Sequence, residues 1–168
     1  MDGSVTPAVQ RAIPPTVVTR LGNPVLTWLL SGPRRAARVG RSLLLLHITG
    51  RRTGTVYTTP VAYHRQPDGS LLVLTSSRWR VNLRGALTPV DLTVLGRRVA
   101  ATAVLQEDPF AVAKVYLRLI GEVRLDQAGR RLGIRITVDR APTYQELVEA
   151  VQREHLSVLH LVVSADQP

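Results

Sequence analysis

Two short segments concentrate the residue types that could do chemistry. The first reads His47-Ile48-Thr49-Gly50-Arg51-Arg52-Thr53-Gly54 and continues through Tyr57-Thr58-Thr59-Pro60-Val61. A turn flanked by glycines exposes backbone N–H groups, and two arginines and several hydroxyls fall within a few residues of it. Such a set of donors suits phosphate or carboxylate, because a planar guanidinium can engage two oxygens at once. Taken alone, the segment also reads as an ordinary basic hairpin turn, solvated and idle. The second segment is Thr75-Ser76-Ser77-Arg78-Trp79-Arg80-Val81-Asn82-Leu83-Arg84. It starts at the end of a predicted strand and opens a predicted helix, and small hydroxyl residues ahead of helix N–H groups again favour an anion. Trp79 and Asn82 fall one turn apart on one side; as plain structure, Trp79 is a core anchor and Asn82 a capping or turn residue.

Other chemistries find less. Tyr57, Tyr63, His64 and Tyr116 are candidate proton donors, each with a packing role in the sheet wall as the alternative. His47, His64, His155 and His160 are dispersed and lack the close helical pairing of a zinc site. The chain has no cysteine, which excludes disulfides and thiolate-held metals. Ser76 and Ser77 stand outside a nucleophile elbow, and Gly50-x-x-x-Gly54 lacks the Lys-Ser/Thr of a phosphate-binding nucleotidase loop.

The elements that must position these residues follow from hydrophobic pattern and turn chemistry. Residues 1–22, with Pro7, Pro14 and Pro15, read as a loose N-terminal arm, and residues 23–168 as a single domain. Asn23 can cap a helix with Pro24 at its first position, so Asn23 to Val39 is predicted helical, with Val25, Trp28 and Leu29 on one face and a break at Gly32-Pro33. Ser42 to Thr49 is a continuous apolar run, a strand buried on both faces. After the glycine turn, Val56 to Arg65 is the returning strand, Pro67-Asp68-Gly69 a turn, and Ser70 to Thr75 a third strand. Arg78 to Ala86 is predicted helical. Val90 to Leu95 and Arg98 to Gln106 make a hairpin about Gly96-Arg97. Asp108-Pro109 starts a helix to about Ile120, a further helix spans Thr143 to Glu154, and Leu156 to Val163 is the last strand. Successive antiparallel strands with helices at their ends indicate an α+β fold with a curled sheet or barrel.

Composition narrows the partners. The 168 residues carry 22 basic against 12 acidic side chains, a formal net charge of +10, and Lys114 is the sole lysine. Such a balance fits a surface or groove that attracts anions, although a high-GC coding bias also enriches arginine. Two Trp, four Tyr and one Phe are scattered rather than interleaved with the basic residues, a poor stacking platform, and no named nucleic-acid motif occurs. Nucleic acid is therefore not expected as a partner. The longest purely apolar run, Leu43 to Leu46, is far too short to span a bilayer. No secretory leader is read, so a cytoplasmic location is expected.

In order and spacing, the "TGRRTG…YTTPV" segment, the "WRVNLR" stretch and the "PVDLTVLGRRVAATA" hairpin closely resemble the deazaflavin-dependent nitroreductase family. The resemblance covers about Asn23 to Pro109. It implies an antiparallel split β-barrel of the FMN-binding type with flanking helices, and coenzyme F420, a deazaflavin bearing a phosphodiester and a glutamate tail. By this resemblance Arg51, Arg52, Thr53 and Gly54 hold the phosphate and tail, while Thr59, Pro60 and Val61 pass beside the ring system. Thr75, Ser76, Ser77 and Arg78 lie at the strand end under the ring, and Trp79, Asn82 and Leu83 begin the helix that completes the site. Trp79 and Pro60 would bound the ring slot. Quinone- and nitroimidazole-reducing relatives carry pocket tyrosines in the C-terminal half, whereas here none follows Tyr116 until Tyr144, so those activities are not transferred. The resemblance thus implies an F420-dependent oxidoreductase passing a hydride to a small electrophile such as an enone, alkene, imine or quinone-like compound. Alternatives are an FMN-dependent enzyme or a non-catalytic binding protein of the same fold. A homodimer is expected by analogy with other split barrels.

Overall fold

The computed structural model describes residues 6–12, 27–28, 30–32, 41–85, 87–123 and 125–164. Most of the predicted Asn23–Val39 helix and of the N-terminal arm lies outside them, as does Ala86. Within that helix Thr27, Trp28 and Leu30 are helical, but Leu30 is buried and Trp28 exposed, so Trp28 does not lie on the apolar face expected for it.

The strands are β1 (Val9–Arg11), β2 (Leu43–Thr49), β3 (Val56–Ala62), β4 (His64–Arg65), β5 (Leu71–Thr75), β6 (Thr88–Val94), β7 (Arg97–Gln106), β8 (Ile134–Ile136) and β9 (Ser157–Val163). The helices are a 3₁₀ helix at Arg78–Leu83, α1 (Pro109–Glu122), α2 (Leu125–Leu132) and α3 (Tyr144–Glu154). Seven strands form a curled antiparallel half-barrel in the order β3-β2-β6-β7-β9-β5-β4, and β1 pairs with β8 in a small second sheet. The chain is mixed α+β, as its pattern of strands and end helices indicates. It divides into two compact units. One comprises Met1–Ile13, Leu74–Ser76 and Gln106–Val158; the other comprises Pro14–Val73, Ser77–Leu105 and Leu159–Pro168.

The second unit holds β2, β3, β6 and most of β7, whose registers are continuous. Leu45 faces Pro60 across one ladder and Thr93 across the other, and Leu92 faces Val99. Side chains alternate between faces with a period of two. Leu44, Leu46 and Ile48 therefore enter a core with Val61, Val90, Leu92, Ala101 and Ala103, joined by Leu83, Leu159 and Leu161. Leu45 and His47 point to the opposite face. The phase of the β2–β3 ladder follows from its ends: Tyr63 N–H donates to the Ser42 carbonyl, and Gly50 N–H to that of Thr55. Even-numbered β2 residues thus make the hydrogen-bonded pairs, which leaves Pro60, lacking an N–H, in a non-hydrogen-bonded pair where none is required. The single strand expected from Val56 to Arg65 is interrupted at Tyr63.

The β6–β7 turn falls on Leu95 and Gly96, one residue earlier than expected, because Arg97 already pairs with Val94. Both turn residues have positive φ, 50° and 76°, the pairing that lets a two-residue hairpin match strand twist.

In the first unit Asp108 accepts the Ala111 N–H at 2.8 Å and Pro109 occupies the first helical turn, so α1 starts where its cap demands. Thr143 and Glu146 form a reciprocal capping box at α3. Two corrections to the sequence reading fall here. Val9–Arg11 is not loose arm but a strand paired with Ile134–Ile136, Val9 being 1% exposed and its carbonyl accepting from Arg153. The stretch left unassigned between α1 and α3 contains α2 and β8. No helix among the described residues is long and apolar enough to cross a membrane.

Candidate functional site

The site is built in the second unit, where the β2–β3 hairpin reverses. Four residues, 51–54, close the turn, and Gly54 N–H donates back to the Gly50 carbonyl at 2.8 Å. That closure puts Gly54 at φ +66°, a conformation strained for any residue with a Cβ. Gly50 is needed for another reason. A Cβ there would lie 2.8 Å from the Tyr57 ring and 3.0 Å from Thr53 Oγ1. The two glycines thus shape a turn that leaves Arg51, Arg52 and Thr53 exposed. Tyr57, itself about half exposed, leans over it with its hydroxyl 3.4 Å from Thr53 Oγ1.

The second segment reaches this turn through one side chain. Asn82 Oδ1 accepts the Arg51 N–H at 3.2 Å, and Asn82 Nδ2 donates to the Trp79 carbonyl at 3.1 Å. The helix that carries it is 3₁₀ and stops at Leu83, shorter than the helix expected to Ala86. Its Ser77 side chain does not cap the helix N–H groups, Arg80 and Arg84 N–H groups bond three residues back to Ser77 and Val81, and Gly85 at φ +121° ends it. Leu83 is buried and Trp79 half-buried against the sheet core. The Arg51 guanidinium lies across the helix exit, its Nη2 3.7 Å from where a Gly85 Cβ would stand.

No Asp or Glu occurs from Ser42 to Gln66 or from Ser70 to Val90. Among the described residues no carboxylate pairs with the side chains of Arg51, Arg52 or Arg78. Cationic donors collected without internal counter-ions are the electrostatic signature of an anion site.

The remaining sequence candidates separate. Thr59 and Val61 face the core side, opposite Leu46 and Leu44, together with Tyr57 opposite Ile48. Pro60, opposite Leu45, faces the other way, so Trp79 and Pro60 do not bound one slot from a common face of the sheet. Ser77 and Arg78 belong with the 3₁₀ helix, whereas Thr75, buried, and Ser76, half-buried, group with the other unit. Tyr63 is buried in the sheet core. Tyr116 is 1% exposed within α1, and burial pushes its phenol well above the ordinary value. Of the three tyrosines, Tyr57 stands at the turn. Gly85 escaped the sequence reading; a glycine directly after a basic helix end was the available signal. His47, dispersed from the other histidines in sequence, finds hydroxyl partners in the fold. Its ring bonds Thr58 Oγ1 at 2.9 Å and Thr93 Oγ1 at 2.8 Å on the outer sheet face. Burial, and then the nearby Arg98, lower its pKa, against a smaller opposing effect of Asp91. No group of three or more His, Cys, Asp or Glu among the described residues could hold a metal.

Comparison with known proteins gives the site its context. No curated protein matches the chain. A solved structure described as a domain-swapped dimer is similar over 88% of this chain and 99% of its own, at 14% identity and a TM-score of 0.45. That likeness is too distant to carry an argument. Residues 32–139, well over half the chain, match the model of the F420H(2)-dependent quinone reductase family, and nothing in the comparisons supports FMN instead. The match spans both the glycine turn and the 3₁₀ helix tied to it. The chain therefore belongs to the F420H(2)-dependent quinone reductase family and is an F420-dependent oxidoreductase.

Proposed function

We propose that the Gly50–Gly54 turn holds the anionic portion of coenzyme F420 and that the enzyme reduces a small organic electrophile such as an enone, activated alkene, imine or quinone. The observation that carries this reading is the tethered basic turn. Arg51 and Arg52 project from a loop fixed by Asn82, with no carboxylate partner among the described residues. The donor set fits the group: a phosphodiester and carboxylate tail asks for guanidinium and hydroxyl donors, and Arg51, Arg52 and Thr53 supply them. The family match supports the same cofactor.

When bound, the reduced deazaflavin supplies a hydride, so the protein needs no nucleophile of its own. The chain's residues bind and orient. Arg51 and Arg52 neutralise the tail, and Trp79 offers an apolar surface on the core side of the sheet. Tyr57 is the tyrosine placed to meet a bound molecule at the turn. The test is fluorescence titration with F420 and with FMN, followed by turnover of an enone, imine and quinone panel. At least tenfold preference for F420 is expected; equal or inverted preference would refute the reading.

A further inference from the structure

We propose that Asn82 is a positioning residue for cofactor binding, a strut that fixes the Gly50–Gly54 turn, and with it the Arg51 guanidinium, against the 3₁₀ helix. The inference rests on the reading of that turn as the tail site. Its basis is the pair of bonds made by one amide. Asn82 accepts the Arg51 N–H at 3.2 Å and donates to the Trp79 carbonyl at 3.1 Å, so one side chain joins the two segments.

Other residues do not reproduce this. Aspartate can accept from Arg51 but turns a second acceptor toward the Trp79 carbonyl. Alanine supplies neither bond, and glutamine carries its amide one methylene farther out. The 31 residues between the partners make this a tertiary link, not a feature of one local turn.

The consequence is preorganisation. The turn is exposed, and an arginine on an exposed turn loses rotamer and backbone freedom when it captures an anion. Arg51 has part of that freedom removed beforehand, because its N–H is bonded to Asn82 and its guanidinium rests beside Gly85. Binding then costs less ordering. Asn82 acts through the backbone of Arg51, without itself needing to touch the cofactor.

Two measurements test this. The first is F420 titration of the wild type, Arg51→Ala, Asn82→Ala and the double variant. Arg51→Ala should weaken binding by roughly tenfold, the scale of one hydrogen bond to a charged group, and Asn82→Ala by about fivefold, the scale of the neutral bond that holds the turn. The double variant should fall well short of the product of the two, since both act through Arg51. A fully multiplicative loss would make Asn82 an independent ligand and overturn the proposal. The second uses the ligand-free protein and follows exchange of the Arg51 amide by NMR. Exchange should accelerate about fivefold in Asn82→Ala, the population effect of losing about 1 kcal/mol of hydrogen bonding. It should be intermediate in Asn82→Asp, which keeps the acceptor for Arg51 but loses the bond to the Trp79 carbonyl. Unchanged exchange in Asn82→Ala would overturn the strut. Unaltered affinity in Arg51→Ala would instead overturn the tail site, while the exchange data still judge the strut by itself.

Discussion

Replacing Arg52 by alanine separates the binding role of the turn from any role in folding. The side chain is exposed, and no hydrogen bond or ion pair is described for it, so its loss removes no internal contact. Stability should change by no more than about 0.5 kcal/mol, as for other surface positions without special partners. Toward a bound phosphate or carboxylate the balance differs. A charge-assisted hydrogen bond contributes about 1.5–3 kcal/mol, and solvent exposure places Arg52 near the lower end. Since about 1.4 kcal/mol is one decade, F420 affinity should fall roughly tenfold, and at most about a hundredfold.

Arg97 supplies the control. It pairs with Val94, and the strand registers put that pair opposite the Leu44 end of β2. Six residues of strand separate Leu44 from Gly50, which at about 3.3 Å each is about 20 Å. That exceeds two Debye lengths of about 8 Å at physiological salt, so Arg97 should contribute almost nothing to binding. The assay is F420 fluorescence titration at low and physiological ionic strength, with thermal melting of each variant. Wild-type affinity should decline with salt, and Arg52→Ala should show a shallower decline. Equal affinities for Arg52→Ala, Arg97→Ala and wild type would refute the assignment of the turn.

Three further outcomes are expected. Gly50→Ala should destabilise by about 1 kcal/mol through crowding and weaken F420 binding, because the added Cβ meets the Tyr57 ring at 2.8 Å; combining it with Tyr57→Ala should restore much of the stability, as melting curves will show. Tyr116→Phe should leave turnover close to wild type, since the phenol is buried away from solvent and that burial raises its pKa further above neutral pH; a large loss of rate would return Tyr116 to the list of proton donors. Bonding first to Arg140, and also to the Thr143 N–H, holds the Glu146 carboxyl at about 2, below its ordinary 4.5, so its stabilisation of α3 is complete above the unfolded value and lost as pH falls from there through about 2. Amide exchange in α3 across that range, compared with Glu146→Gln, checks the sign.

The parts of the fold that were legible in the sequence are those whose signals are local. Leu43–Thr49 stood out as an apolar run, Gly50 and Gly54 bracketed its turn, and Asp108-Pro109 and Thr143-x-x-Glu146 announced helix starts through capping chemistry. Strands β1 and β8 were not legible, because Val9-Gln10-Arg11 and Ile134-Arg135-Ile136 are too short for alternation to rise above chance, and their pairing spans more than 120 residues. The opposite facing of Pro60 could have been foreseen, since strand parity alone separates it from Thr59 and Val61. The Asn82–Arg51 bond could not. Asn82 has the sequence character of a capping residue, and a bond to a distant N–H depends on where the barrel brings the two segments. The short 3₁₀ form of Arg78–Leu83 was equally hidden, for helical spacing over six residues does not distinguish three residues per turn from 3.6.

Pro60 has one more consequence. Strand β3 ends the sheet, so the polar groups on its outer side have no neighbouring strand in the order found. Ladder phase turns the Thr58 N–H, the Pro60 nitrogen and the Ala62 N–H toward that side. The middle of the row therefore carries a ring carbon where a donor would otherwise stand. A second extended chain arriving at this border could not complete a continuous ladder, and runaway strand-to-strand growth is checked at the one edge next to the basic turn. Pro60→Val, by restoring the missing donor, would remove that safeguard without altering a residue on the core face.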